Sequence, residues 1–214
     1  LFMGAEVFEF RCEPEKVRER AAECERLGRD NSMPVHWAMW APLRYGSAFI
    51  LEDKPAEGVA LMKAGMAVWD ASGGKVWSPY GKAVLAEGMA VLGDLDGALQ
   101  LIDEQIAQIK RPGWEERIHA AEILRLKGWL LSLKGDLAGA EKSYLASLGW
   151  AREQQAKSWE LRTSTSLARL WQSQGKRKKA HDLLAPIYAW FTEGFGTKDL
   201  KEAKALLNEL EAAR

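Results

Sequence analysis

The 214-residue sequence predicts an all-α fold, an α-solenoid of antiparallel helix pairs closed by a C-terminal capping helix. Three observations predict it. Four segments align without internal gaps at a period of about forty residues: PLRYGSAFILEDKPAEGVALM, KAVLAEGMAVLGDLDGALQLI, LRLKGWLLSLKGDLAGAEKSY and, offset by two residues at its front, SLARLWQSQGKRKKAHDLL. On either side of a turn in each segment, apolar residues recur three and four apart, the mark of an amphipathic helix. Strand signals are missing: there is no sustained β-branched alternation and no Asn-Gly hairpin between such runs.

The aligned positions say why the helices should come in pairs. Each segment has a small residue in its first half (Gly46, Ala86, Gly128, Ala168) and, seven residues on, a turn residue (Asp53, Gly93, Gly135, Gly175). Five further on stands another small residue (Gly58, Ala98, Ala140, Ala180), and four beyond that a large one (Met62, Ile102, Tyr144, Leu184). Small residues belong where two helices cross, because a larger side chain would hold the axes apart. A helix pair alone leaves one face apolar, so neighbouring pairs must stack to bury it.

In chain order, the turn residues stand 40, 42 and 40 apart, and a further step of 40 back from Asp53 reaches Glu13. Pro14 follows, a favoured first helical residue, so a degenerate first pair is expected at residues 1–29. The second pair spans 33–72. Its apolar run, 35–51, is too short for a bilayer and contains Pro42 and Arg44, which reads as a buried helix. The third, fourth and fifth pairs fall at 74–110, 114–154 and 156–193. The tail TKDLKEAKALLNELEAAR supplies the capping helix over 197–213, with Thr197 as its N-cap. Leu200, Ala203, Leu207 and Leu210 form its apolar stripe, while Lys201, Glu202, Lys204, Asn208 and Glu209 face water. The chain thus reads as one solenoid domain, residues 1–214.

Charge and cysteine usage exclude several functions. Thirty basic and thirty acidic side chains cancel, so no overall field draws the chain to nucleic acid or an anionic membrane. Cys12 and Cys24 make neither a disulfide framework nor a CxxC pair, which fits a reducing, cytoplasmic setting. The start, LFMGAEVFEF, has no basic n-region and no initiator Met and reads as the interior of a longer polypeptide.

Catalytic chemistry is not signalled. SGGK at 72–75 lacks both the leading glycine and the following hydroxyl of a phosphate loop, and GFG at 194–196 follows a helix rather than a strand. Glu116 and His119 have the i, i+3 spacing of a carboxylate di-iron ligand set, but such a site needs two copies and two further glutamates. His36 and His181 are isolated. No catalytic, cofactor or metal residue is therefore assigned. The run Lys176, Arg177, Lys178 and Lys179 sits where DKPA, DLDG and DLAG sit in the other repeats, and reads as a solvated inter-helix turn rather than a nucleic-acid patch. Of the ten tryptophans, Trp37 with Trp40, Trp69 with Trp77, and Trp171 with Trp190 are expected to fill gaps between helices.

The segment LRLKGWLLSLKGDLAGAEKSY resembles a tetratricopeptide repeat: Leu124, Gly128, Leu131, Ala140 and Tyr144 fit that spacing. Lys127 replaces the usual leucine, and the period of 40 to 42 exceeds the usual value of about 34. The resemblance implies that first-helix positions line a concave groove. In that register fall Trp40, Leu43 and Ser47; Tyr80, Ala83 and Glu87; Glu122, Arg125, Trp129 and Ser132; and Arg162, Thr165, Arg169 and Gln172. Arg125, Arg162 and Arg169 would form a basic strip beside Glu87 and Glu122, suited to a peptide carboxylate, with Trp40 and Trp129 as stacking platforms. The same residues could instead satisfy one another.

A narrower resemblance covers nearly the whole chain. SWELRTSTSLARLW, LLAPIYAWFTEGF and DLKEAKALL are similar to the C-terminal repeat region of large bacterial signalling proteins. In these a class III adenylate or guanylate cyclase domain, or a LuxR-like transcription-regulator domain, precedes a STAND-type ATPase. The resemblance implies a non-enzymatic sensor of a protein or peptide, or of its own ATPase or output domain. The alternative it leaves is a scaffold that packs on that ATPase or self-associates as a homo-oligomer.

Overall fold

A computed structural model describes residues 2–73, 78–114 and 116–212, with the backbone alone for Phe2. Among these residues the regular elements are all helical: α1 (Phe2–Phe10), α2 (Pro14–Asp30), α3 (Ala41–Leu51), α4 (Pro55–Ala71), α5 (Ser78–Val91), α6 (Leu95–Ile109), α7 (Ala120–Leu133), α8 (Leu137–Glu153), α9 (Lys157–Ser173), α10 (Arg177–Trp190) and α11 (Lys198–Ala212). A π-helical segment, His36–Trp40, runs directly into α3. Trp77 and the end of SGGK lie outside the described residues. No described helix is long and apolar enough to cross a membrane. The chain divides into two compact units, Leu1–Gln105 and Ile106–Arg214.

The periodic turn residues mark where one helix of a pair ends. Asp53, Gly93, Gly135 and Gly175 all have positive φ, at 62°, 93°, 83° and 74°. Each turn closes with two backbone bonds: at Gly135, its own N–H donates to Ser132 O and that of Asp136 to Leu131 O. This is the Schellman C-cap, which satisfies the last carbonyls of the first helix and favours glycine. The same bonds form at Cys12 (φ 54°), so the first pair turns there, one residue before the expected Glu13. The second helix then starts at once. Asp136 accepts from Gly139 N–H at 2.8 Å and Asp94 from Gly97 N–H at 2.9 Å, each an N-cap on an otherwise orphaned donor. Gly97 and Gly139 leave the room those carboxylates occupy.

The small residues lie at helix crossings. A methyl group on Gly128 would stand 2.6 Å from the Tyr144 ring, and one on Gly46 would run into Met62 and the Gly58 carbonyl. In unit 1 the core gathers Met39, Leu43, Val59, Met62, Met66, Tyr80, Val84 and Leu85. In unit 2 it gathers Tyr144, Leu148, Leu161, Leu167, Trp171, Leu184 and Ile187, onto which α11 lays Leu200, Ala203, Leu206, Leu207 and Leu210. Leu206 thus joins the predicted stripe. Thr197 holds the N-cap position through its carbonyl, which accepts from Lys201 N–H, while its hydroxyl donates to Gly194 O.

Two expectations change. Trp40 and Trp69 do pack together, 5.0 Å between ring centroids, and Trp171 is buried, but Trp190 is 57% exposed. It is the last residue of α10, where the chain turns extended at Phe191, so its indole meets that ring edge-on at 5.1 Å instead of filling an interhelical gap. The basic run is an inter-helix turn, but not merely a solvated one. Lys179 pairs with Glu141 at 3.2 Å and lies 3.8 Å over the Trp171 ring; Lys176 reaches the same carboxylate at 3.7 Å. Arg177 donates to the Glu209 carbonyl near the end of α11, where the helix dipole favours a cation.

Candidate functional site

In unit 2 three of the predicted groove positions, Glu122, Arg125 and Arg162, form a polar network rising from α7 and α9. Glu122 opens α7 and is 4% exposed. One helical turn on, Arg125 donates to both its carboxylate oxygens, at 2.8 and 2.7 Å. Arg162 of α9 adds a third bond, Nη1 to Glu122 Oε1 at 3.2 Å, and turns its remaining edge to Asp199 of α11, with Nη2 to Oδ2 at 2.7 Å. Its guanidinium also lies 5.1 Å over the Trp159 ring. Burial pushes the Glu122 carboxyl up, but the two guanidinium groups outweigh it and hold its pKa at about 2, against a usual 4.5. The carboxylate stays charged because the arginines supply what water would.

Two of the remaining predicted positions on α9 reach α11. Arg169 donates to Glu202 at 3.1 Å and Gln172 to Glu209 at 3.1 Å. Arg169 stays 51% exposed in spite of its partner. Thr165 is buried and bonds back to Leu161 O; Ser132 is half-buried and bonds to Trp129 O, with Trp129 itself half-buried. Arg125 and Arg162 are therefore brought together on one carboxylate, and Arg169 takes a separate one.

In unit 1 the predicted positions are more deeply placed. Leu43 and Tyr80 belong to the core, Ala83 is fully buried, and Trp40 packs on Trp69 at the core edge; Glu87 is half-buried. Ser47, 2% exposed, bonds to Glu9. Glu6, Glu9, Arg44 and Asp199 were not among the predicted positions. A turn at Cys12 would have exposed the first two. Glu6 lies six residues before it, as Ser47, Glu87, Trp129 and Arg169 lie before theirs; Glu9 lies three before, as Ser132 and Gln172 do. With a non-glycine turn residue, that register had no sequence mark.

His119 is buried as the N-cap residue of α7, its carbonyl accepting from Ile123 N–H. Among the described residues no group of three or more His, Cys, Asp or Glu side chains is placed to hold a metal ion.

No protein-family model and no curated protein matches the chain. Solved structures do. The chain is similar to TPR-like repeats of a kinesin light chain-like protein from Podosopora anserina in two crystal structures. One matches with a TM-score of 0.60 at 15% identity over 88% of this chain and 91% of that one. The other matches with a TM-score of 0.57 at 13% identity over 98% and 94%. At such identities the likeness concerns the fold, and the fold is the TPR-like stack of helix pairs that the turns, crossings and cores describe.

Proposed function

We propose that this chain is a non-enzymatic protein- or peptide-binding module, the C-terminal sensor region of a multidomain bacterial signalling protein of the cyclase–ATPase type. TPR-like repeats are in general interaction modules, because stacked helix pairs present an extended surface of first-helix side chains. The observation that carries the reading here is the accessible part of that surface in unit 2: Arg169 of α9, half exposed, with Trp129 of α7 and Gln172 of α9 half-buried. Arg125 and Arg162 contribute by rigidity, locked onto Glu122 and Asp199. A partner bearing a carboxylate and an apolar side chain would compete with Glu202 for Arg169 and stack on Trp129. Its binding would bias the output domain by the difference in affinity between resting and active states.

A second reading, a scaffold docked on its own ATPase or on another copy, is favoured by Trp190, the last residue of α10, and Phe195 beyond it, two large side chains left exposed. The deciding experiment is cyclic-nucleotide production by the longer parent polypeptide, intact, without residues 1–214, and with Trp129→Ala/Arg169→Glu. Output that changes with both the deletion and the double variant supports the sensor reading. Output changed by neither supports the scaffold, and no output in any form points to the transcription-regulator parent.

A further inference from the structure

Unit 1 holds a polar cluster that the proposed function, resting on unit 2, does not use. The Glu9 carboxylate of α1 is gripped by donors from two other helices. Its Oε2 accepts from Arg44 Nη1 at 2.6 Å and from Ser47 Oγ at 2.8 Å, both on α3; its Oε1 accepts from the Tyr80 hydroxyl of α5 at 3.0 Å. All four side chains are almost fully buried. The next residue, Phe10, meets Tyr80 edge-on with 5.5 Å between ring centroids. Glu6, one turn back, puts its Oε2 3.8 Å from Arg44 Nη2.

The division of labour is informative. α3 and α5 supply a guanidinium, two hydroxyl donors and an aromatic face; α1 supplies a carboxylate followed by an aromatic ring. A guanidinium flanked by hydroxyls is matched to a carboxylate both in charge and in bond geometry. Ser47 and Tyr80 also stand at first-helix positions, where a peptide would lie. α1 is the exchangeable component. It is nine residues long, shorter than a helix that holds itself together in water. It joins α2 through Cys12, a non-glycine residue in the left-handed region at φ 54°, so straightening that joint relieves strain. Its outer side carries exposed Met3 and Val7.

We propose that Arg44, Ser47 and Tyr80 form a recognition site for an acidic–aromatic peptide, a Glu-Phe step, and that α1 fills this site in cis with Glu9 and Phe10. The proposal rests on the interaction-module reading and names the chemistry of its partner. A peptide entering the site replaces the carboxylate that α1 withdraws, so Arg44 is never left without a counter-ion. Because α1 is tethered, the intact chain binds such a peptide with an affinity reduced by the fraction of time the site stands open.

The test uses the full chain and an acetylated, fluorescein-labelled peptide with the sequence of residues 2–11, followed by fluorescence anisotropy. Glu9→Ala removes the carboxylate by which α1 holds the site, while Glu6 stays beside Arg44. It should bind the peptide at least about tenfold more tightly than the unaltered chain. Adding Arg44→Met, or replacing the peptide glutamate that corresponds to Glu9 by glutamine, should abolish the gain. Equal binding to all forms, or none to any, overturns the proposal; equal binding leaves the module reading standing, since that depends on the cyclic-nucleotide output. A second measurement needs no variant. With saturating peptide, amides of residues 3–10 in the unaltered chain should exchange hydrogen faster while those of α7 to α9 do not change. Peptide bound with α1 exchange unaltered sinks the in-cis arrangement, even if Glu9→Ala does not fold.

Discussion

At the scale of single residues, the chain shows how buried charge is made tolerable. Glu122 sits in unit 2 with its carboxylate fully enclosed by Arg125 and Arg162. Removing one member of such a set leaves the others without compensation, a loss of about 3–5 kcal/mol. Glu122→Gln should therefore lower the urea midpoint markedly at pH 7. The pH dependence has a definite sign. The folded pKa of about 2 lies below the usual 4.5, so the carboxylate's contribution is complete above pH 4.5 and fades as pH falls toward 2. The gap corresponds to about 3 kcal/mol. The stability difference between the unaltered chain and Glu122→Gln should thus shrink steadily between pH 4.5 and 2; a difference independent of pH would mean that the ion pairs add nothing. Gly128 tests packing instead. Gly128→Val would press into the Tyr144 ring and should cost about 1–3 kcal/mol by urea titration. A neutral result would mean that the crossing opens without strain.

At the scale of elements, the turns carry the repeat. Glycine or aspartate in the left-handed region ends one helix, and the aspartate after Gly93 or Gly135 begins the next. Asp136→Ala removes an N-cap and should destabilise the chain by about 1 kcal/mol, read as a lower urea midpoint with an unchanged slope. These turns were legible in the sequence because glycine and aspartate recur there at fixed spacing. The first pair was expected at 1–29, but its turn only to within one residue. Its turn residue is Cys12, which nothing in the residue type marks, so the register stopped at Glu13 and the two glutamates of α1 went unassigned. The basic run was placed correctly in a turn, yet its contacts with Glu141 and the α11 carbonyl are long-range, 32 to 38 residues away, and local pattern does not reach them. Trp190 failed for the related reason that helix spacing says which face a residue takes, not whether a neighbour covers that face.

At the scale of the whole molecule, charge balance is the property that follows most directly from composition. With thirty charges of each sign, and with Lys176, Arg177 and Lys179 engaged by their neighbours, the chain should pass a heparin column at about 50 mM salt without retention. Retention there would reveal a basic face. The period of the aligned segments conveyed the fold class because each copy repeats the same turn and the same crossing. The candidate site was legible only as a list of register positions; which positions meet a partner of their own depended on charges drawn from distant helices. The charges that meet in unit 2 also constrain how such an array can grow. Glu122, Arg162 and Asp199 come from α7, α9 and α11, and the sign alternates from one helix to the next. Tandem duplication of the α9–α10 pair would set a second arginine against Arg162, and duplication of α7–α8 would set glutamate against Glu122. A single inserted copy is thereby penalised from birth, whereas duplicating both pairs together keeps opposite charges facing along the whole row. The charge row makes two repeats, rather than one, the natural step by which this protein could lengthen.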